Sequence, residues 1–188
     1  GWLVGDGHII NGTEKAVLNF YDRDKEISED MAEHVNEIVR EPTGHRSEYT
    51  VGVSTIQRDD DYRQKPDSIE QRVSSKRLYE MCEEMGLTEN KLQVPDEIFT
   101  GSRETVVGFL QALFTADGHV QDSANGSRSV RLSSVSTDLL QDVQELLGNL
   151  GIKSTLYEDR KPSEMKELPD GKGGTKEYKT QGFHDLAV

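Results

Sequence analysis

The chain contains, at residues 109–118, the sequence FLQALFTADG. Its apolar residues recur every three or four positions, at Phe109, Leu110, Leu113 and Phe114. This period predicts a helix with one buried face. Ala112 and Ala116 lie four positions apart on one side of that helix, and small residues at that spacing let two helices approach closely. Asp117 and Gly118 end the segment, so a carboxylate lies where the helix dipole disfavours negative charge by about 0.3–1 kcal/mol.

The same pattern occurs a second time, at residues 1–9. This segment reads GWLVGDGHI and aligns with residues 112–120, which read ALFTADGHV. Asp-Gly-His is identical in the two copies, and two glycines of the first copy stand where the second copy has alanines. An internal repeat of this kind predicts two related halves. We expect the two helices to cross closely and to bring Asp6 and Asp117 near each other.

Two carboxylates at the negative ends of two close helices favour a bound cation. Carboxylate and backbone carbonyl oxygens are ligands that suit Mg²⁺. The alternative is that each Asp-Gly pair is only a turn, because both residue types are common there. The repetition of Asp6 and Asp117 in matched surroundings favours the metal site over the turn.

Similar elements are predicted after each copy of the motif. In the first half, strands are predicted at residues 15–22, 49–56 and 69–73, helices at 28–40 and 75–85, and a loop at 57–68. In the second half, strands are predicted at residues 128–135, 153–157 and 183–188, a helix at 138–150, and a mobile loop at 162–180. Ser28 and Ser136 are predicted to cap the helices that follow them. Apolar stripes predict that Ile38 and Val130 face the core.

The composition limits the classes of protein to which the chain can belong. It has 188 residues, with 33% apolar and 30% charged residues, and its single cysteine, Cys82, is predicted to lie in the core. Scattered histidines and a lone cysteine make a structural zinc site unlikely and indicate a reducing, cytoplasmic setting. No apolar run approaches the ~20 residues that span a membrane.

The net charge of −13 leaves two interpretations open. The first is an acidic protein without a polyanionic partner, because phosphate binding needs basic surface. The second is a protein whose basic residues are gathered on one surface while the remaining surface is acidic. Only the distribution of the charges in space distinguishes these alternatives.

The residues of the second motif resemble a known family. LQALFTADG is similar to the LAGLIDADG motif, and it matches at Leu110, Leu113, Ala116, Asp117 and Gly118. Residues 91–98, KLQVPDEI, resemble the K-x-I-P block that precedes the second motif in intein-borne, DOD-type homing endonucleases, although Lys91 lies one residue farther from Pro95 than in that block. The chain therefore resembles the endonuclease domain of an intein, in particular of ribonucleotide reductase inteins, truncated at both ends.

This resemblance implies an α+β fold of two pseudo-twofold-related αββαββα halves with an antiparallel β saddle. The halves would be residues 1–90 and residues 91–188, the second lacking its last helix. The resemblance also implies a monomer, linked in cis to the remainder of an intein and its host protein, that makes double-strand breaks at the intein insertion site. Double-stranded DNA is the expected partner, and no membrane is expected.

The resemblance further implies which residues carry the chemistry. Asp6 and Asp117 would bind Mg²⁺, helped by the carbonyls of Gly5 and Ala116, and Lys91 would be catalytic. On the predicted strands, polar residues opposite the apolar ones are expected to contact DNA. These are Lys15, Asn19, Tyr21, Arg131, Ser133, Lys153 and Tyr157. The alternative for each is a solvated strand face.

A second function remains open, that of a non-cleaving nucleic-acid binder of the same fold. Such a protein would be an RNA maturase, a regulator or a decayed nuclease. The presence of both Asp6 and Asp117 argues against a regulator. His8 and His119 follow the two acids directly, and exposed strand positions are expected for them.

Overall fold

The chain folds into two compact units, Gly1–Lys91 and Leu92–Val188. In the computed structural model, the described residues are 1–39, 50–57, 69–122, 126–169 and 174–188, except for the side chains of residues 22 and 23. The loop predicted at residues 57–68 and the C-terminal end of the helix predicted at 28–40 therefore lie largely outside the described residues. Among the described helices, none is both long enough and apolar enough to cross a membrane.

The first unit contains one antiparallel sheet and two α-helices. Its strands are β1 (Gly7–Ile10), β2 (Lys15–Phe20), β3 (Val53–Gln57) and β4 (Ile69–Ser75), in the sheet order β1-β2-β4-β3. Its helices are α1 (Ser28–Ile38) and α2 (Lys76–Glu84), with 3-10 turns at Asn11–Thr13 and Asp22–Ile27. Because β2 is a central strand, its residues from Ala16 to Phe20 are buried on both faces of the sheet.

The second unit repeats this arrangement and adds a hairpin. Its helices are α3 (Asp96–Phe99), α4 (Arg103–Asp117) and α5 (Thr137–Asn149). Its main sheet contains β5 (Gly118–Asp122), β6 (Arg128–Ser134), β7 (Thr155–Lys161) and β10 (Phe183–Ala187), in the order β5-β6-β10-β7. The strands β8 (Glu164–Pro169) and β9 (Thr175–Thr180) pair only with each other. The α+β class with antiparallel sheets is confirmed.

The repeat seen in the sequence reappears in the strand registers. Gly7 pairs with Leu18 on the neighbouring central strand, and Gly118 pairs with Leu132 in the same way. In the next layer, Leu18 pairs with Val73 on β4, and Leu132 pairs with Leu186 on β10. Each Asp-Gly-His therefore occupies the same place at the start of its own sheet.

Helix ends follow local signals in most places. Ser75 and Ser136 accept hydrogen bonds from the backbone N–H groups of Leu78 and Leu139, at 3.2 and 3.1 Å, and so cap α2 and α5 as expected for serine. Ser28 was wrongly predicted as a cap. The 3-10 turn runs directly into α1, and the buried Ser28 hydroxyl instead donates to the backbone carbonyl of Lys25.

Three further predictions about the strands and helices were wrong. Residues 164–180 form the β8–β9 hairpin rather than a loop, and because neither face of it is buried, it lacks alternating apolar residues. Ile38 and Val130 are 58% and 42% exposed, so the buried stripe of α1 is narrower than the pattern suggested and β6 is less deeply covered near its start. Lys153 precedes β7, which begins at Thr155.

Each unit has its own apolar core between its sheet and its helices. In the first unit, Trp2 stacks on Phe20 with ring centroids 5.0 Å apart, and Val73 and Cys82 are almost fully buried. Burial raises the pKa of the Cys82 thiol to about 11, which confirms that this cysteine is a core residue and keeps it protonated. The second core contains Leu113, Leu132, Leu140, Leu146 and Leu186.

Gly7 and Gly118 are required by close backbone contacts at the transition from motif to strand. A Cβ atom at Gly118 would lie 2.3 Å from the carbonyl oxygen of Phe114, and one at Gly7 would lie 2.6 Å from that of Leu3. Gly118 has a φ of −78°, so its importance arises from space rather than from a left-handed backbone. The strand can begin directly after the acidic residue only because these two positions have no side chain.

We predict that Gly118→Ala lowers the free energy of unfolding by about 1–3 kcal/mol, because the added methyl group must displace backbone. The matched control is Gly108→Ala in α4, where a Cβ meets nothing within 4 Å. Alanine should stabilise that helical position by up to about 1 kcal/mol. Chemical denaturation of both variants measures the difference, and equal stabilities would show that the contact at Gly118 is easily relieved.

Candidate metal centre and nucleic-acid interface

Asp6 lies where a helical turn becomes the first strand. The N–H groups of Gly5 and Gly7 donate to the carbonyls of Gly1 and Leu3, both at 3.2 Å, which is helical spacing. The strand β1 then begins at Gly7, and the side chain of Asp6 is half-buried. The geometry fixes the backbone of this acidic residue at one end of the sheet.

Lys91 binds the backbone on both sides of Asp6. Its ammonium Nζ donates to the carbonyl oxygens of Gly5 and Gly7, at 2.9 and 2.7 Å. Two backbone oxygens therefore converge on one positive charge beside a carboxylate. This donor set fits a hard divalent cation, for which the ammonium is a stand-in, because carbonyl and carboxylate oxygens are its preferred ligands.

Asn19 holds Asp6 and His8 from the neighbouring strand. Its Nδ2 donates to the carbonyl oxygen of Asp6 at 2.8 Å and lies 3.0 Å from Nδ1 of His8. An amide nitrogen only donates, so Nδ1 of His8 accepts and the neutral ring carries its proton on Nε2. The Asn19 side chain is only 7% exposed, and its own carbonyl accepts from Trp2 Nε1 at 3.0 Å.

The surroundings of His8 favour its neutral form. Burial is the main cause that lowers the pKa of this imidazole, and the positive charges of Arg72 and Lys91 lower it further. Glu70 acts in the opposite direction. At neutral pH, His8 therefore offers a neutral Nε2–H donor.

The second motif has a more open environment. The helix α4 ends at Asp117, whose side chain is exposed, and Ala116 before it is half-buried. His119 is exposed on β5 and pairs with Arg131 on β6. Among the described residues, no group of three or more His, Cys, Asp or Glu residues is placed to hold a metal. The expected proximity of Asp6 and Asp117 stays a prediction.

The polar face of the first sheet contains a buried acid. Glu70 is 4% exposed and accepts from Arg72 Nε at 2.6 Å and from Tyr21 Oη at 3.2 Å. Arg72 pairs with Asn19 across the strands and so shares its face of the sheet. Lys15 is exposed at the start of β2.

The polar face of the second sheet has the same kind of arrangement. Asp185 is 5% exposed and accepts from Ser133 Oγ at 2.7 Å and from Arg131 Nη1 at 3.2 Å. Arg160 Nε lies 3.7 Å from the same carboxylate, and Arg131 lies over the ring of Tyr157 at 5.5 Å. His119, Ser133, Arg160, Lys161, Phe183 and Asp185 line an open groove on this face.

Comparisons with known proteins identify the family. Residues 104–180 match the family model of a LAGLIDADG-like domain. Over 191 aligned residues, the chain is 31% identical to the NrdEB subunit alpha of ribonucleoside-diphosphate reductase from Bacillus subtilis, covering 100% of this chain and 17% of that protein. The chain belongs to the LAGLIDADG family.

Other relatives and solved structures agree with this assignment. The chain is 28% identical over 178 residues to the tRNA-splicing ligase RtcB of Pyrococcus abyssi, covering 84% of this chain and 18% of that protein. The chain thus spans less than a fifth of the length of these relatives. The homing endonuclease I-DmoI in complex with DNA and Mn has the same fold, with a TM-score of 0.55 and 17% identity over 100% of this chain and 84% of that chain.

In this LAGLIDADG domain, the predicted site residues fall into two groups. Asp6, Gly5 and Lys91 are brought together within the first unit, and Arg131, Ser133 and Tyr157 lie together in the second. Lys15 and Lys153 are exposed and separate from these clusters, and Tyr21 is tied to Glu70. Burial of Asn19 favours a positioning role, and its contact with DNA stays a prediction.

Four residues of the polar faces were missed by sequence reasoning. They are Glu70, Arg72, Arg160 and Asp185. The alternation of β4 carries a signal, since Glu70 and Arg72 are two residues apart and therefore on one face. No local signal in the sequence identifies the partners of Asp185, because they come from three different strands.

We predict that Asn19→Ala frees the His8 ring while lowering the free energy of unfolding by roughly 1 kcal/mol, because two hydrogen bonds of the amide are lost. The loss is limited, since Oδ1 of Asn19 is itself buried without a hydrogen-bond partner among the described residues. Nitrogen NMR of the imidazole should show the Nε2–H form in the parent and a mixture of forms in the variant. The exposed Asn149→Ala is the control, and an unchanged His8 signal in Asn19→Ala would contradict the assignment.

Proposed function

We propose that this domain is a site-specific homing endonuclease that makes Mg²⁺-dependent double-strand breaks in DNA at the insertion site of an intein. One observation carries the proposal. Each unit places an Asp-Gly-His at the transition into the first strand of a sheet with a polar face, and in the first unit the backbone oxygens beside the acid converge on the Lys91 ammonium. A carboxylate and backbone oxygens beside an anion-binding face suit phosphodiester hydrolysis.

The metal ligands we propose are Asp6 and Asp117, with the carbonyl oxygens of Gly5 and Ala116. When bound, a divalent cation supplies Lewis-acid stabilisation of the phosphate and a water of lowered pKa. Crystals of I-DmoI, whose fold this chain shares, hold DNA together with Mn or with Ca, which supports a divalent ion here. Mg²⁺ is our choice because of the all-oxygen ligand set.

The residues of the chain would contribute positioning and positive charge. Lys91 fixes the two carbonyls that flank Asp6 and brings a positive charge beside the scissile phosphate. His8, held by Asn19, offers its Nε2–H to a phosphate oxygen without adding a charge that would repel the metal. The remaining predicted contacts, Arg131, Ser133, Tyr157, Lys15 and Lys153, would bind the bases and phosphates of the flanking duplex.

We also propose a setting for this activity. The similarity to a ribonucleotide reductase subunit, of which the chain spans 17%, supports a domain carried in cis within a larger host protein as part of an intein. The chain would act as a cytoplasmic monomer, because its two halves supply both Asp-Gly-His motifs. Neither the host protein nor the oligomeric state follows from the fold alone.

A non-cleaving nucleic-acid binder is the second candidate function. The net charge of −13 and the buried carboxylates of Glu70 and Asp185 favour it, because both reduce attraction to phosphates. An RNA maturase, a regulator or a decayed nuclease would have these properties. Binding without cutting by the parent protein would support this candidate against the endonuclease.

We predict that Asp6→Asn and Asp117→Asn each reduce double-strand cleavage by several orders of magnitude while DNA binding persists. The loss of a metal ligand removes several kcal/mol of transition-state stabilisation, at about 1.4 kcal/mol per tenfold, whereas affinity comes from phosphate contacts elsewhere. Cleavage of the uninterrupted host sequence is measured with Mg²⁺, and binding by gel shift with Ca²⁺. Asp122→Asn, an exposed acid on β5, is the control. Full cutting by either motif variant would remove the basis of the proposal.

We predict that Lys91→Met slows cleavage by roughly 10²-fold or more and causes nicked DNA to accumulate. The ammonium contacts only the backbone around Asp6 among the printed partners, so one of two cuts should suffer more. Removal of one electrostatic donor commonly costs this much. The ratio of nicked to linear plasmid over time gives the result, with Lys153→Met as the control for charge. Equal slowing of both cuts would contradict a role confined to the first motif.

A further inference from the structure

Asp185 is a negative charge almost fully buried in a face that, on the proposed function, contacts a polyanion. A buried carboxylate is costly unless it is paired and hydrogen-bonded. Asp185 is paired: Ser133 Oγ and Arg131 Nη1 both donate to it, at 2.7 and 3.2 Å, and Arg160 lies at 3.7 Å. The carboxylate therefore holds two of the residues expected to contact DNA.

Arg131 is fixed on three sides. Its Nη1 donates to Asp185, its Nε donates to Ser129 Oγ at 3.2 Å, and its guanidinium carbon lies 5.5 Å from the centre of the Tyr157 ring. Only 14% of the Arg131 side chain is exposed. An arginine has five N–H donors, and these two hydrogen bonds use one on Nε and one on Nη1. The Nη1–Nη2 end still has one donor on Nη1 and two on Nη2 beyond the bonds described.

A neutralised arginine of this kind suits base recognition better than phosphate binding. Phosphate binding depends on net positive charge and tolerates many orientations. Recognition of a guanine edge requires two parallel N–H donors in a fixed direction and contributes about 1–3 kcal/mol of discrimination. Asp185 reduces the net charge of the cluster and fixes the direction of the donors.

The first unit repeats the device at the corresponding strand. Glu70 on β4 is 4% exposed and accepts from Arg72 at 2.6 Å and from Tyr21 at 3.2 Å. Both β4 and β10 lie third in their sheets, next to the central strand that follows the motif. A buried acid that fixes an arginine and lies near a tyrosine thus occurs once on each polar face.

We propose that Asp185 is a specificity-determining positioning residue, which holds Arg131 to read a guanine in the DNA major groove and keeps it from acting as a general phosphate contact. The inference rests on the proposed function only in requiring that the chain binds DNA, and it does not depend on cleavage. It assigns to an acidic residue a role in choosing the DNA sequence.

The test is selection of bound duplexes from a randomised DNA library by the full chain and its variants, with Ca²⁺ in place of Mg²⁺. Asp185→Asn should bind non-selected duplex more tightly, with a salt dependence of log K against log salt steeper by about 0.9 for each phosphate gained. Its preference at one guanine position should fall by roughly tenfold or more. Arg131→Gln should lose the same preference, and the double variant should lose no more than Arg131→Gln alone.

The matched control is the exposed pair of Arg128 and Asp122, whose side chains are 78% and 70% exposed at 2.8 Å. Asp122→Asn should change the affinity for all sequences alike and leave the preference unchanged. If Asp185→Asn does not fold, Arg131→Lys replaces it, since lysine keeps the charge but cannot present the parallel donors. That variant should bind with similar affinity and lose the guanine preference.

Different results separate the two proposals. Retention of the full preference by folded Asp185→Asn, or by Arg131→Lys, would overturn the role of Asp185 while leaving DNA binding intact. Additive losses in the double variant would also overturn it, because the acid would then act independently of the arginine. Failure of the parent chain to select any sequence would overturn the DNA-binding function itself, and this inference with it.

Discussion

The backbone of Gly118 passes so close to the carbonyl of Phe114 that a methyl group does not fit between them, and Gly7 has the same relation to Leu3. This contact lets a strand begin with no linker after the acidic residue of each motif. The carboxylate is therefore placed at the end of a sheet rather than in a loop. Because the strand registers start from these glycines, the polar faces and their side chains are positioned relative to the acids by the same contact.

The polar faces explain how an acidic chain can present a surface for nucleic acid. The net charge is −13, yet the acids on these faces, Glu70 and Asp185, are buried and paired with arginines. Buried and paired carboxylates attract few counterions and repel phosphates less than exposed ones do. Neither of the two interpretations of the charge holds in its simple form, because each polar face has both signs and depends on orientation more than on excess positive charge.

The parts of the structure that were predictable are those that depend on neighbours in sequence. Ser75, Ser136, Gly86 and Gly151 mark helix ends through local backbone geometry, and the last two have φ of +70° and +81°. The β8–β9 hairpin was missed because an exposed hairpin needs no apolar alternation. Contacts of Lys91 with Gly5 and Gly7, and of Asp185 with Ser133 and Arg131, join residues 52 or more positions apart, which no local pattern encodes.

The two motifs share a backbone but differ in the side chains around their acids. Asp6 is half-buried, with Asn19 on its own carbonyl and Lys91 on the carbonyls to either side, whereas Asp117 is exposed at the end of α4. His8 is held as a neutral donor by Asn19, while the position equivalent to Asn19 in the second unit is Ser133, which donates to Asp185 instead. A repeat constrains the scaffold through the glycines, but leaves the side chains to diverge. The divergence therefore assigns unequal tasks to the two halves, with tighter preorganisation of the acid in the first and of the arginine in the second.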